Sequence, residues 1–190
     1  MKYKNILNIN NRYDFREWLK LNHDKEKECY LVLKRGKPLD NNKFYYLDAI
    51  EEALCFGWID STLRNIDGIA YQRFTSRSKN SNWTELNKQR VRRLIELGLM
   101  DESGLKVLPN MSIRSFKPDI EIINELKKNR VYSKFRKFPK LYQRIRLSNL
   151  MFYKDRLPNE YKKVLKHTIE STKQGKTFGE WNDYGRLKDE

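Results

Sequence analysis

A chain of 190 residues with 38% apolar and 13% aromatic residues is long enough for a core of its own, because a chain near this size buries roughly 70% of its unfolded surface. That aromatic content argues against disorder, and no apolar run approaches the ~18 residues of a membrane-spanning helix. The formal net charge of +15 turns the search for partners toward anions.

The opening, MKYKNILNINNRYDF, lacks the apolar centre of a signal peptide, so a cytoplasmic protein is expected. Residues 13–23, YDFREWLKLNH, predict a short amphipathic helix, with Asp14 and Glu17 as a capping pair and Phe15, Trp18 and Leu19 on one face. ECYLVLKRG (28–36) reads as a strand ended by Gly36 and Pro38. Over 44–57 the spacing is helical again, with Leu47, Ile50, Ala53 and Leu54 on one side and Asp48, Glu51 and Glu52 on or beside the other. Gly57 stands where a helix C-terminus favours glycine. WIDSTLRNID and IAYQRFTSR then predict two strands joined by a hairpin turn at Asp67-Gly68. If that hairpin pairs symmetrically, Asp60 faces Thr75 and Arg64 lies near Tyr71.

Residues 82–100 give the clearest helix. Asn82 and Glu85 have capping-box spacing, and Trp83, Leu86, Val91, Leu94 and Ile95 form the apolar stripe. A short helix or turn follows at 101–109 and a linker at 110–118. Further helices are expected around 119–129, 139–153 and 158–173, two of them opened by Pro139 and Pro158. The tail, GKTFGEWNDYGRLKDE, has three glycines and no period, and is expected to fray. The fold class is α+β: a small antiparallel sheet from strands near 29–35, 58–66 and 69–76 packs with helices at 14–22, 46–56 and 82–98. A core over 1–110 is followed by a basic helical part, 111–190, packed on the same domain.

Two long strings carry a resemblance. EEALCFGWIDS, and YQRFTSRSKNSNWTELNKQRVRRLIELGLM after it, resemble the YdeI/OmpD-associated family of small bacterial proteins, also labelled bacteriocin-protection proteins. The matching pieces are ALCFGWID at the helix-to-strand corner, QRFT and its following arginine, and SNW opening a helix. With the preceding LDAIEEAL, they cover about residues 12–108. The resemblance implies a cytoplasmic α+β protein with no established reaction, and a role in envelope stress or antimicrobial-peptide resistance. Many members carry a proline- and alanine-rich stretch in the later part, where this chain has YSKFRKFPKLYQRIRLSNLMFY.

The residue types leave few catalytic options. A reactive thiol needs a base or a helix N-terminus. Cys55 instead sits near a helix C-terminus and Cys29 inside a strand, so both read as buried thiols. The histidines, His23 and His167, lie far from them in sequence, so neither a zinc site nor another metal site is expected, and no cofactor is implied. Asp60, two residues past Trp58, reads either as a structural ion pair with Arg73 or Arg77 or as the floor of a polar pocket. RFTSRSKNSNW (73–83) brings arginines and hydroxyls to a helix start, where unpaired N–H groups favour an anion; the alternative is a capped helix after a solvated loop. It lacks the glycine spacing of a P-loop. The candidate ligand set is therefore Trp58, Asp60, Arg73, Thr75, Arg77, Ser81, Trp83 and Asn87, with a small anionic ligand as the partner.

The basic excess is uneven: residues 1–68 carry a net +1 and residues 69–190 a net +14. Its densest part, KKNRVYSKFRKFPKLYQRIR (127–146), has nine cations and no acid. Aromatics interleave with those cations, as a nucleic-acid surface would require. Lys134, Arg136, Lys137 and Arg144 are the candidate contacts. The competing reading puts the aromatics in the core with lysines reaching outward.

Overall fold

The computed structural model describes residues 3–39, 43–78 and 81–189. Among these residues there are eight α-helices and one three-stranded antiparallel sheet, an α+β fold. The chain divides into two compact units, Met1–Asn82 with Arg90–Pro109, and Trp83–Gln89 with Asn110–Glu190.

The first unit opens with α1 (Arg12–Asn22). Its cap is Asn11, whose side chain accepts from Asp14 N and donates to Asp14 Oδ2. The Asp14–Glu17 pair expected from the sequence is thus one turn too late; Asp14 is the inner member of the pair. Strand β1 (Glu28–Leu31) stops short of residue 36, and the chain beyond it returns as an isolated bridge between Lys34 and Tyr45. Helix α2 (Tyr46–Cys55) is buried at every residue from Leu47 to Cys55. Gly57 follows with φ of +72° and turns the chain into β2 (Trp58–Ile66). The hairpin turn at Asp67 and Gly68 has φ of +51° and +83°, the left-handed pair that a tight turn between twisted strands requires. It leads to β3 (Ile69–Ser76), which lies between β1 and β2.

The burial of α2 includes the acidic side opposite its apolar face. Glu52 accepts from Arg12 Nε at 2.8 Å and Arg16 Nη1 at 2.7 Å. Glu51 accepts from Arg93 Nη1 at 2.8 Å, and Asp48 lies 3.4 Å from Arg12 Nη1. The helix is covered all round because arginines cover its charged side.

Helix α3 (Glu85–Glu96) contributes its first turns to the second unit and the rest to the first. Thr84, not Asn82, caps it: Thr84 Oγ1 accepts from Asn87 N at 3.3 Å. At its other end Gly98, at φ +65°, lets Leu99 N reach back to Leu94 O. Val91 and Leu94 are buried, whereas Ile95 is 43% exposed and lies outside the expected stripe. Helix α4 (Glu102–Lys106) then closes on the corner after α2. Asp101 N donates to Cys55 O at 3.0 Å. A Cβ on Gly104 would stand 2.1 Å from the same oxygen.

The second unit contains α5 (Ile120–Lys128), α6 (Tyr132–Phe135), α7 (Lys140–Arg156) and α8 (Pro158–Lys173). Its core joins Ile122, Leu126, Phe135, Tyr142 and Leu150. The short helix α6 was not expected from the sequence. The tail also departs from the frayed end expected. Leu187 is buried with Leu141 and Ile145, Trp181 packs on them, and Asp189 accepts from Lys140 N and Leu141 N at the start of α7. A proline-led helix start with no side-chain cap of its own takes its cap from the far end of the chain.

Candidate functional site

Strand pairing decides which candidate side chains meet. Arg64 faces Tyr71 as the symmetric hairpin requires, but a bulge between Asp60 and Leu63 shifts the register. Asp60 therefore faces Phe74, and Thr75 faces Ile59. A slip of one residue exchanges sheet faces, so Asp60 shares a face with buried Phe74, and Arg73 and Thr75 take the other. Arg73 pairs there with Glu28, Nη2 to Oε2 at 2.6 Å. Although burial opposes it, the Glu28 bond holds the Arg73 guanidinium above its ordinary pKa. An Asp60–Arg73 or Asp60–Thr75 contact is thus replaced by two separate ones.

Asp60 instead meets α2. Tyr46 donates its hydroxyl to Asp60 Oδ2 at 2.5 Å. Burial and the neighbouring carboxylate push the Tyr46 phenol well above its usual range, so at neutral pH it is a hydrogen-bond donor and not a base. The Arg35 guanidinium lies 3.8 Å above the Tyr46 ring and donates to Gln72 Oε1 at 2.7 Å. Asp60 also acts electrostatically on Arg77. The Arg77 backbone N donates to Gly57 O, and its Nη1 donates to Asn82 O at 3.2 Å and to Ser81 Oγ at 3.4 Å. Burial lowers the Arg77 pKa to about 10 even though Asp60 acts in the opposite direction. The corner thus joins Asp60 to the Tyr46 phenol, on which Arg35 stacks, and brings Asp60 within electrostatic reach of Arg77.

Trp58 is not a wall of this corner. It is 1% exposed, packs edge-on to Trp18, and donates Nε1 to His23 O at 3.1 Å. The sequence signal that placed it beside Asp60 was strand alternation, which does not distinguish a pocket from a core. Tyr46 and Arg35 were missed because they precede the corner by more than ten residues. Trp83 and Asn87 belong to the second unit, both at partly buried positions, with Asn87 N bound to the Thr84 cap.

The thiol at the corner is inert. Burial raises the Cys55 pKa to about 11, with Glu52 adding to it, and Cys29 is raised further by burial. Neither is a nucleophile near neutral pH. Among the described residues no group of three or more His, Cys, Asp or Glu is placed to hold a metal ion.

In the basic segment, Lys127, Lys128, Arg130, Lys134, Arg136, Lys137 and Lys140 are exposed. Its interleaved aromatics are not available for stacking as a set, since Phe135 and Tyr142 are core residues. Arg144 is likewise withdrawn: it is 7% exposed, with Nε 3.0 Å from Glu85 Oε2 and Nη2 donating to Gln89 Oε1. Opening such a pair to bind a phosphate costs about 3–5 kcal/mol, more than one phosphate contact returns. Lys134 donates to Lys173 O at 2.6 Å while remaining exposed.

No helix of the described residues is long and apolar enough to cross a membrane. Neither curated proteins nor solved structures provide a match to the chain. One family model, Domain of unknown function (DUF8412), matches residues 7–107, which runs from before α1 to just past α4 and takes in the whole Tyr46–Asp60–Arg77 corner. By that match over more than half of its length, the chain belongs to the DUF8412 family.

Proposed function

We propose that the protein binds a small anionic ligand at the corner made by Arg35, Tyr46, Asp60 and Arg77, with Ser81 beside it. The supporting observation is the arrangement of donors there: Arg35 stacks on the Tyr46 ring, Tyr46 donates to Asp60, and Arg77 is held by Gly57 O, Asn82 O and Ser81 Oγ. A guanidinium fixed in direction is suited to bidentate bonding with an anion. The Tyr46 phenol is a donor already oriented by Asp60. The resemblance to YdeI/OmpD-associated proteins extends the proposal to a cytoplasmic protein acting in stress or antimicrobial-peptide resistance. Calorimetric titration with inorganic phosphate, sulfate and small dicarboxylates tests the site. Binding that weakens about tenfold in Arg77→Lys, where a planar fork becomes a point charge, is expected. Equal affinity in wild type, Arg77→Lys and Arg35→Gln refutes it.

A second reading is favoured by one observation, the seven exposed cations between Lys127 and Lys140. Such a face binds nucleic acid through phosphates alone, without base stacking. Anisotropy titration with single- and double-stranded oligonucleotides then gives affinity that falls steeply with salt. Lys134→Glu, Arg136→Glu and Lys137→Glu together abolish it. A flat salt response removes this reading.

A further inference from the structure

A cleft of about 470 Å³ lies within the second unit, bounded by α7, α8 and the C-terminal segment. That volume falls in the range of small-molecule sites, and grooves between helices are a usual place for them. Helix α7 lines it with Arg146 and Tyr153, α8 with Lys163 and His167, and the tail with Phe178 and Trp181.

Arg146 is the unusual member. It is 6% exposed, yet among the described residues no carboxylate pairs with it. Its Nη2 donates to Phe178 O at 2.7 Å, and its guanidinium carbon lies 3.7 Å above the Phe178 ring. These contacts fix the direction of the side chain without neutralising it. Its Nε is buried beside the Tyr142 hydroxyl, which is buried as well, and meets no carboxylate. Burial lowers the Arg146 pKa, with only the phenols of Tyr142 and Tyr153 opposing. A buried charge without a counter-charge is costly to keep, and its neighbour Arg144 shows the ordinary solution, a buried glutamate at 3.0 Å. Arg146 has a cleft instead.

The mouth of the cleft adds Lys163, exposed and held by Glu160 at 2.9 Å, and His167, whose ring stands edge-on to Phe178 with centroids 4.2 Å apart. Glu180, also at the mouth, is exposed and screened by water. Trp181 and Tyr153, both half-buried, add aromatic rings to the lining.

We infer that this cleft is a second binding site, for a small molecule that joins one anionic group to an aromatic body, with the anion on Arg146 and the ring against Trp181 and Tyr153. The site is separate from the Arg77 corner and does not depend on it.

The test is titration of the full chain, by calorimetry and by ligand-observed NMR, with indole-3-acetate and AMP. One offers a carboxylate and the other a phosphate. Indole alone and inorganic phosphate alone serve as the two halves. At least one joined probe is expected to bind more tightly than either half, and to weaken about tenfold in Arg146→Gln. Lys163→Glu, at an exposed position, keeps the test decisive should Arg146→Gln fail to fold; about a threefold loss is expected there. Preference between the two joined probes assigns the anion. The inference is overturned if neither joined probe binds, if Lys163→Glu leaves the affinity unchanged, or if affinity is lost in Arg77→Lys and retained in the cleft variants.

Discussion

Replacing Glu52 by glutamine tests whether α2 is held in the first unit by charge neutralisation. The side chain is 4% exposed and receives one bond from Arg16 and a forked pair from Arg12, whose own side chains are 23% and 27% exposed. Glutamine keeps the volume and one acceptor but removes the charge. Breaking a buried ion pair costs about 3–5 kcal/mol. Two features place this case at the lower end. Both guanidiniums keep some water, and Arg12 retains Asp48 at 3.4 Å and Glu51 at 3.6 Å. A loss of about 3 kcal/mol is therefore expected, which lowers Tm by about 6–12 °C for a chain of this length. Urea unfolding followed by circular dichroism measures it. Glu17→Gln is the control, because its pair with Lys20 is 64% and 48% exposed, and such pairs contribute well under about 1 kcal/mol. If Glu52→Gln falls within about 0.5 kcal/mol of wild type, the arginine cover over α2 is incidental and the reasoning fails.

Gly104→Ala places a methyl 2.1 Å from Cys55 O, a backbone atom that cannot swing aside. A loss of about 2 kcal/mol or more is expected in the same urea assay, and a neutral result would show that α4 shifts freely. Asp101, capping α4, has its carboxyl held below the usual range chiefly by the Ser103 hydroxyl. A carboxyl that is the stronger acid in the folded state stabilises fully above its unfolded pKa of ~3.9, and that contribution disappears as pH falls through the lower folded value. The stability gap between wild type and Asp101→Asn should thus be constant near neutrality and close in acid; a gap independent of pH contradicts the assignment. Iodoacetamide at mildly alkaline pH should label neither Cys29 nor Cys55 until the protein is denatured, since both are buried and protonated there. Rapid native labelling of Cys55 would place the corner in water.

What could be read from the sequence was local. The Asp67-Gly68 turn, the glycine at 57 and the proline at the start of α8 each act through their own backbone, and all three stand where expected. Non-local contacts were illegible. The bulge at Asp60–Leu63 has no glycine to announce it, and it alone turns Asp60 from Thr75 toward Tyr46. Helical periodicity placed Glu51 and Glu52 beside a polar side, and nothing in a local window reveals that Arg12, Arg16 and Arg93 will cover them. Tail residues Trp181, Leu187 and Asp189 were visible as types, but their roles depend on where α7 begins.

The same limit applies to charge. Nine cations in 127–146 count equally toward the net +15, yet the fold separates them into three physical classes. Seven are in water, where each adds a small, salt-sensitive attraction for any polyanion. Arg144 is spent on Glu85, and its removal would leave a buried acid uncompensated. Arg146 is buried beside a cleft, and among the described residues no carboxylate pairs with it. Only the first class behaves as net charge does, weakly and without selectivity. Selective recognition needs a cation that has already lost much of its water and whose direction is fixed, because that part of its desolvation then belongs to folding and not to binding. Arg77 and Arg146 meet that condition in the two units, one by the Gly57 corner and one by Phe178. A search for what this protein recognises therefore begins at half-buried Arg77 and buried Arg146 and not at its most basic surface.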